Sequence, residues 1–170
     1  FIRGIADSSF TGPTQSTVGQ YWGDLRLSYN APDPDLRLSD LDRVEVLEGP
    51  QGTLYGAGAL GGIIRLVPNA PRLDDASLSA QVGGSLTRHG SPGGDASITA
   101  NLPVTANAAL RGTIDAASLG GYIDKPDAGR SDVNRTRILG GRLTGRVELD
   151  GIWSIEITGL GQTIDARDAQ

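Results

Sequence analysis

Residues 139–157 read LGGRLTGRVELDGIWSIEI, and this stretch indicates a β-rich fold. Every second residue from Leu139 to Leu149 is apolar or glycine, and the residues between them are mostly polar. Side chains that alternate in this way lie on opposite faces of a β-strand. Asp150 and Gly151 then interrupt the pattern, and glycine readily adopts the positive φ of a tight turn. The stretch therefore predicts two antiparallel strands joined by a short hairpin turn.

Three further alternating runs precede this hairpin, at residues 78–86, 96–102 and 108–116. The last three connections run short, long, short, at residues 103–107, 120–136 and 150–151. Short periplasmic turns alternating with longer external loops are typical of outer-membrane β-barrels. A soluble β-sandwich can produce the same order, so the pattern alone leaves both folds open.

The composition favours a β-rich chain and excludes several other classes. Glycine supplies 25 of 170 residues, too many for a helical bundle. The periodic placement of apolar residues argues against disorder. No apolar run reaches the about 20 residues that a transmembrane helix needs. The net charge is −5 and neither half of the chain is basic, so we expect no nucleic-acid partner.

Motifs for catalysis and metal binding are weak in this sequence. The chain has no cysteine and one histidine, His89, which excludes thiolate zinc sites and histidine-rich metal cages. Residues 56–61, GAGALG, match G-x-G-x-x-G, but a β-branched run ending at Pro68 follows where a dinucleotide site needs a helix. The long connection contains Asp124, Asp127, Asp132 and Asn134, but their spacing matches no EF-hand loop, so a solvated acidic loop is favoured over a calcium site. We expect no catalytic residue, no metal site and no cofactor.

The first seventy residues predict shorter elements. The composition changes near Pro71–Asp75, so we expect one domain at residues 1–72 and a second at residues 77–170. In the first domain we predict strands at 43–47 and 61–67, a helical turn at 51–55, and a strand at 21–27 interrupted by Gly23. A short helix is also predicted over residues 39–42, with Ser39 as its N-cap.

A resemblance rests on residues 41–56, LDRVEVLEGPQGTLYG, followed by Gly61-Gly62-Ile63-Ile64. This stretch resembles the plug-domain signature of TonB-dependent outer-membrane receptors. Phe1–Ile5 is similar to the family's earlier Ile-Arg-Gly motif, and Tyr21–Leu27 lies where its Tyr-Val-Asp-Gly strand is expected. Residues 78–164 resemble the first barrel strands. The resemblance implies a mainly β fold: a plug-domain remnant of short strands and short helices, followed by antiparallel meander strands of a large outer-membrane barrel.

Three positions depart from the family pattern. Glu48 stands where the family usually has arginine, Gly23-Asp24 inverts the usual Asp-Gly order, and Arg65 replaces a common asparagine. The chain opens on Phe1 without methionine, so we expect it to be a segment that lacks the start of the plug and most of the barrel.

The resemblance also implies a function. It implies a receptor in the outer membrane of a Gram-negative bacterium that binds a scarce nutrient, such as a siderophore-bound iron, a cobalamin or a glycan. Import would take energy from TonB, which would engage a segment absent from this chain. The implied partners are thus TonB, a small ligand and outer-membrane lipid. Such a protein makes and breaks no bond, so we expect no enzyme.

The resemblance assigns roles to a few residues. Tyr55 and Gln51 lie at the plug turn expected to face the ligand, although a packing role with a bonded hydroxyl is favoured for Tyr55. Arg3, Arg43 and Glu45 are expected to lock plug strands together or to the barrel wall. Trp153 suits an interfacial aromatic girdle or the packing of the sheet.

Two other classes of protein remain open on the sequence. The first is a soluble β-rich adhesion or glycan-binding module, and the second is a β-helix carbohydrate enzyme, which the lack of a 20–50-residue repeat disfavours. If the barrel interpretation holds, five strands cannot close a barrel of about 22. We therefore expect the isolated fragment to self-associate through its open strand edges.

Overall fold

The computed structural model describes residues 18–27, 35–56, 61–129 and 131–167. The chain divides into two compact units, Phe1–Asn69 and Ala70–Gln170. The fold is mainly β, as predicted, and regular helix within the described residues is limited to two short segments. Arg3 and the Ile-Arg-Gly motif at residues 2–4 lie outside the described residues.

The first unit contains a four-stranded sheet. Its strands are β1 (Val18–Trp22), β2 (Leu25–Arg26), β3 (Leu41–Glu48) and β4 (Gly62–Pro68), with the helical turn α1 (Gly52–Tyr55) between β3 and β4. The strand order is β2-β1-β4-β3, in which β1 and β4 are parallel and the other pairs are antiparallel. The sheet confirms the predicted strands at 43–47 and 61–67 and the helical turn. It also confirms the interruption at Gly23, where φ is +57°.

The predicted helix over residues 39–42 is wrong. Ser39 and Asp40 form a turn, and Leu41 already begins β3. Asp40 has a φ of +56°, which no right-handed helix accommodates. Its carbonyl accepts a hydrogen bond from the Asn69 amide (3.1 Å), and its carboxylate accepts one from Asn69 Nδ2 (2.9 Å). Pairing with the chain just after β4 thus prevails over the local capping signal at Ser39.

The second unit is a five-stranded antiparallel meander. It runs in sequence order through β5 (Ser77–Ser85), β6 (Gly93–Thr105), β7 (Ala108–Leu119), β8 (Thr136–Leu149) and β9 (Trp153–Ala166). The predicted alternation places its apolar residues on one face, called here the apolar face. Ile98 of β6, for instance, pairs with Ala80 on one side and Ile114 on the other. The opposite, polar face carries residues such as Asn101, Thr113 and Arg142.

Two hairpin turns connect neighbouring strands tightly. Asp150 and Gly151 both have positive φ, +50° and +66°, which confirms the predicted turn. The connection predicted at 103–107 is shorter than expected, because β6 continues to Thr105 and only Ala106 and Asn107 turn. A register shift between Pro103 and Thr105 lets the strand continue past the proline.

The connection from β7 to β8 is the long one, at residues 120–135. It contains a 3-10 turn at Pro126–Ala128. Within the described ranges, no helix has the length and apolar character that crossing a membrane would require.

Candidate functional site

The α1 turn, which holds both predicted ligand residues, packs against the small core of the first unit. Ile63 is completely buried and Tyr21 is only 5% exposed. The Tyr21 hydroxyl donates a 2.7 Å hydrogen bond to the Tyr55 carbonyl. The two tyrosine rings meet edge to face, with centroids 5.0 Å apart at 72°, a favourable aromatic geometry. Leu47 completes the cluster, so strands β1, β3 and β4 together fix the position of Tyr55.

Gln51 and Tyr55 lie one helical turn apart and are both half-buried. The Gln51 carbonyl accepts the Tyr55 amide at 3.0 Å, and the Gly56 amide closes the turn onto the Gly52 carbonyl at 3.0 Å. Gly56 then leaves the helix with a φ of +75°. The turn is therefore well defined, and Tyr55 has the packing contacts that the alternative interpretation predicts. Ligand contact through Tyr55 and Gln51 stays a prediction.

Arg43 and Glu45, two of the predicted lock residues, belong to a network of charged side chains. Glu45 accepts hydrogen bonds from Arg43 Nε (2.7 Å) and from Arg65 Nη1 (3.0 Å). Arg65 also donates to the Asp24 carboxylate (2.7 Å) and the Gly23 carbonyl (2.9 Å). These bonds connect β3, β4 and the β1–β2 turn within one sheet. Their contribution to a lock stays a prediction, as does any role of Arg3.

Arg65 is a member of this network that the sequence does not predict, because in the sequence it is only a departure from the family pattern. The inverted Gly23-Asp24 pair is a second departure, and the structure brings the two together. Arg65 also lies directly opposite Glu45 in the register of β3 and β4, and opposite charges at such positions attract. The contact between Glu45 and Arg65 follows from the sequence once β3 and β4 are paired in this register.

The network shifts the ionisation of its members. Hydrogen bonds from Arg65 and then Arg43 hold the pKa of Glu45 below its ordinary value of 4.5. Glu45 and then Asp24 raise the pKa of Arg65 in turn. The carboxylate and both guanidinium groups therefore stay charged at neutral pH.

A pH dependence follows from the lowered pKa of Glu45. A carboxylate with a lowered pKa in the folded state stabilises the fold above its unfolded pKa, and this stabilisation is lost as the pH falls through the folded pKa. In the intact protein, we expect hydrogen exchange of the β3 amides, corrected for intrinsic rates, to accelerate as the pH drops from 6 toward 3. A Glu45→Gln variant should lack this component. Equal acceleration in the wild type and in Glu45→Gln would show that protonation of Glu45 does not cause the pH dependence.

Polar side chains in the long connection between β7 and β8 accept hydrogen bonds from within the connection and from Ser91. Asp132 accepts a 2.6 Å hydrogen bond from Ser91 Oγ, and Asp124 accepts one from the Asp132 amide at 3.1 Å. Asn134 Oδ1 accepts the Tyr122 amide at 2.7 Å. Among the described residues, no group of three or more His, Cys, Asp or Glu side chains is placed to hold a metal ion. These oxygens accept hydrogen bonds from a serine hydroxyl and from backbone amides, which favours the loop interpretation over the calcium one.

Two other sequence features have clear positions. The motif at residues 56–61 is followed at Gly62 by strand β4, so the dinucleotide interpretation lacks the helix that it needs after the motif. Trp153 begins β9 beside the Asp150–Gly151 turn and is 73% exposed. It pairs with Leu149 at the end of the apolar face, a position that suits an aromatic girdle.

Comparison with known proteins agrees with this architecture. The family model described as the TonB-dependent receptor plug domain matches residues 1–63. The pesticin receptors of Yersinia enterocolitica and Yersinia pestis are 59% identical over 34 residues, which span 20% of this chain and 5% of theirs. Among solved structures, the copper transporter OprC aligns with a TM-score of 0.64 and 22% identity, over 89% of this chain and 24% of its own.

A stretch that matches a plug domain, followed by a five-stranded antiparallel meander, is the fold that this chain shares with OprC. The sequence match to the TonB-dependent receptor plug domain thus covers residues 1–63, and the likeness to OprC extends a shared fold over most of the chain.

Proposed function

We propose that this chain is the C-terminal part of the plug, residues 1–72, and the first barrel strands, residues 77–170, of an outer-membrane receptor. The receptor binds a scarce nutrient outside the cell and imports it with energy supplied by TonB. It acts by binding and conformational change, without bond chemistry.

The observation that carries the proposal is the inverted polarity of the second sheet. Large apolar side chains on the apolar face are widely exposed; Ile114 is 65% exposed and Val82 is 87% exposed. On the polar face, Asn101, Thr113 and Arg142 are buried. A soluble sheet buries its apolar face, whereas a barrel in lipid turns that face outward. Soluble monomers rarely expose a continuous apolar patch of this extent, so lipid is the environment that fits it.

The nutrient is proposed only by class. We favour a siderophore-bound iron, a cobalamin or a glycan, which is held by surface contacts and needs no metal ligand from the protein. These 170 residues have no cysteine or methionine, so they supply none of the soft sulfur ligands that copper(I) prefers. We therefore do not propose copper as the nutrient of this protein, although OprC is a copper transporter.

Uptake by whole cells tests the proposal. Cells expressing the intact protein should accumulate a radiolabelled ferric siderophore, cobalamin or oligosaccharide only when TonB and the proton-motive force are present. A panel of the three probes identifies the class. A protein that purifies as a monodisperse species without detergent and binds glycan would instead be the soluble module.

Tyr55 provides a test at the plug turn. In the intact receptor, we expect Tyr55→Ala to weaken binding of the probe by about tenfold, equal to about 1.4 kcal/mol. The loss in the free energy of unfolding, obtained from the melting temperature, should be smaller than this loss in binding free energy. Isothermal titration and thermal melting measure the two effects. Tyr55→Phe is the matched control, because it keeps the ring that packs on Tyr21. Unchanged affinity with a lower melting temperature would make Tyr55 a packing residue only.

A further inference from the structure

The apolar face of the second sheet has a limited height and ends on β8 at a charged residue. On this strand the apolar positions run from Leu149 to Leu139, a length of about 33 Å at about 3.3 Å per residue. Strands of outer-membrane barrels tilt by about 40°, which reduces this length to about 25 Å across the membrane, the height of the lipid-facing band in such barrels. Arg137 is the next residue of β8 on the same face. It therefore lies just beyond the band, at the level of the lipid headgroups.

Three arginines cluster at this end of the apolar face. Arg137 pairs with Asp165 of β9. The pairing continues beyond both strands, because the Arg167 amide bonds to the Arg135 carbonyl at 3.0 Å, and alternation places these two residues on the face of Arg137. All four residues are exposed. Asp165 offsets one guanidinium group, so the cluster keeps an excess of positive charge on a chain whose net charge is −5.

The position of the cluster selects one leaflet of the membrane. It lies at the end of the sheet that carries the long connection at residues 120–135, and long connections of outer-membrane barrels are external. The two hairpin turns at the opposite end, residues 102–109 and 147–155, contain no lysine or arginine. Since basic groups at a membrane surface attract anionic headgroups, the charge pattern favours a lipid of the external leaflet.

A groove beside the cluster offers room for an acyl chain. Its volume is about 730 Å³ and its lining is mostly apolar. Ala96 pairs with Ala116, and their short side chains leave space between Val82 on β5 and Leu139 on β8. Arg137 belongs to the same lining. Further strands that close a barrel beside β5 or β9 would pair with the sheet edges, so they would leave this outward face uncovered.

The groove and the cluster together fit a lipid that carries phosphate. An apolar groove on a lipid-facing surface accepts an acyl chain, and guanidinium groups bind phosphate oxygens through paired hydrogen bonds. We propose that this surface binds a phosphorylated lipid of the external leaflet, with phosphate on Arg137 and Arg135 and one acyl chain in the groove along Ala96 and Ala116. The inference rests on the proposed function, because only a barrel in a membrane turns this face toward lipid.

Native mass spectrometry of the intact receptor in detergent, with lipid A added as the phosphorylated lipid, tests the charged part of this surface. Arg135→Ala combined with Arg137→Ala should bind lipid A about tenfold more weakly than the wild type, since charge-assisted hydrogen bonds are lost. Arg72→Ala is the matched control and should bind like the wild type. The Arg72 side chain is also 59% exposed, but it precedes β5 at the opposite end of the sheet.

A second variant, Ala116→Leu, keeps every charge and tests the groove. A larger apolar side chain on a lipid-facing surface leaves the barrel folded, but it fills the space beside Leu139 and should weaken lipid A binding about threefold through lost packing contacts. Lipid A stripped of its phosphates should bind the wild type as weakly as lipid A binds the double arginine variant.

Equal retention of lipid A by the wild type and either test variant would overturn the lipid site. If TonB-dependent uptake persists in that case, the proposed function stands without this site. A protein that stays monodisperse without detergent would instead reject the proposed function itself, and the lipid site with it.

Discussion

Replacing Gly62 by alanine is expected to disrupt the plug sheet at the junction of β3 and β4. Gly62 has a φ of +136°, which L-residues with side chains avoid, and an added Cβ would overlap the Leu47 carbonyl oxygen and crowd Glu48 Cα. Gly62 pairs with Glu48 at the end of the ladder. The backbone strain alone costs about 2 kcal/mol, and the overlap with main-chain atoms adds to it.

Hydrogen exchange of the intact protein measures this effect. The amides of β3 should exchange about 30-fold faster or more in Gly62→Ala, the factor that corresponds to about 2 kcal/mol. Gly52→Ala is the control, because an added Cβ at Gly52 meets nothing within 4 Å and alanine favours helix over glycine. Unchanged protection of β3 in Gly62→Ala would contradict the described pairing.

Lysine at position 114 is expected to destabilise the barrel, because Ile114 is centred on the apolar face. It pairs with Ile98 on β6 and with Gly141 on β8. Lysine on the lipid face near the bilayer midplane costs about 2–4 kcal/mol. In water, the same substitution at an exposed position would change stability by no more than about 0.5 kcal/mol.

Gln81→Lys is the matched control for Ile114→Lys. Gln81 is also exposed and lies at a similar level of the sheet, opposite Ser97, but on the polar face. The experiment measures the temperature at which the intact barrel loses its folded electrophoretic mobility. This temperature should fall in Ile114→Lys and remain unchanged in Gln81→Lys. Equal behaviour of the two variants would mean that the apolar face does not meet lipid, and would favour the soluble module.

Much of the fold is local in origin, which is why the sequence predicts it. The alternation from Leu139 to Leu149 specifies which residues share a face, because the period of a strand depends only on its own backbone. The turn at Asp150 and Gly151 depends on the φ preferences of two residues. The plug stretch at 41–56 similarly indicates its strand and helical turn. Ser39 shows the limit of such signals, since its capping potential is overruled by the contact of Asp40 with Asn69.

The contacts that organise the charged network and the second unit come from residues far apart in the chain. Arg65 and Asp24 are 41 positions apart, and Asn101 and Arg72 are 29 apart. Such contacts exist only once the strand order β2-β1-β4-β3 and the β5–β6 register are set, and no local pattern encodes that register. A β-rich chain with a plug-like stretch and strands of alternating polarity follows from the residues alone, because periodicity and turn chemistry act over a few residues. The charges and amides that meet are set by the folded chain, because hydrogen bonds require atoms within about 3 Å of each other and distant residues come that close only on folding.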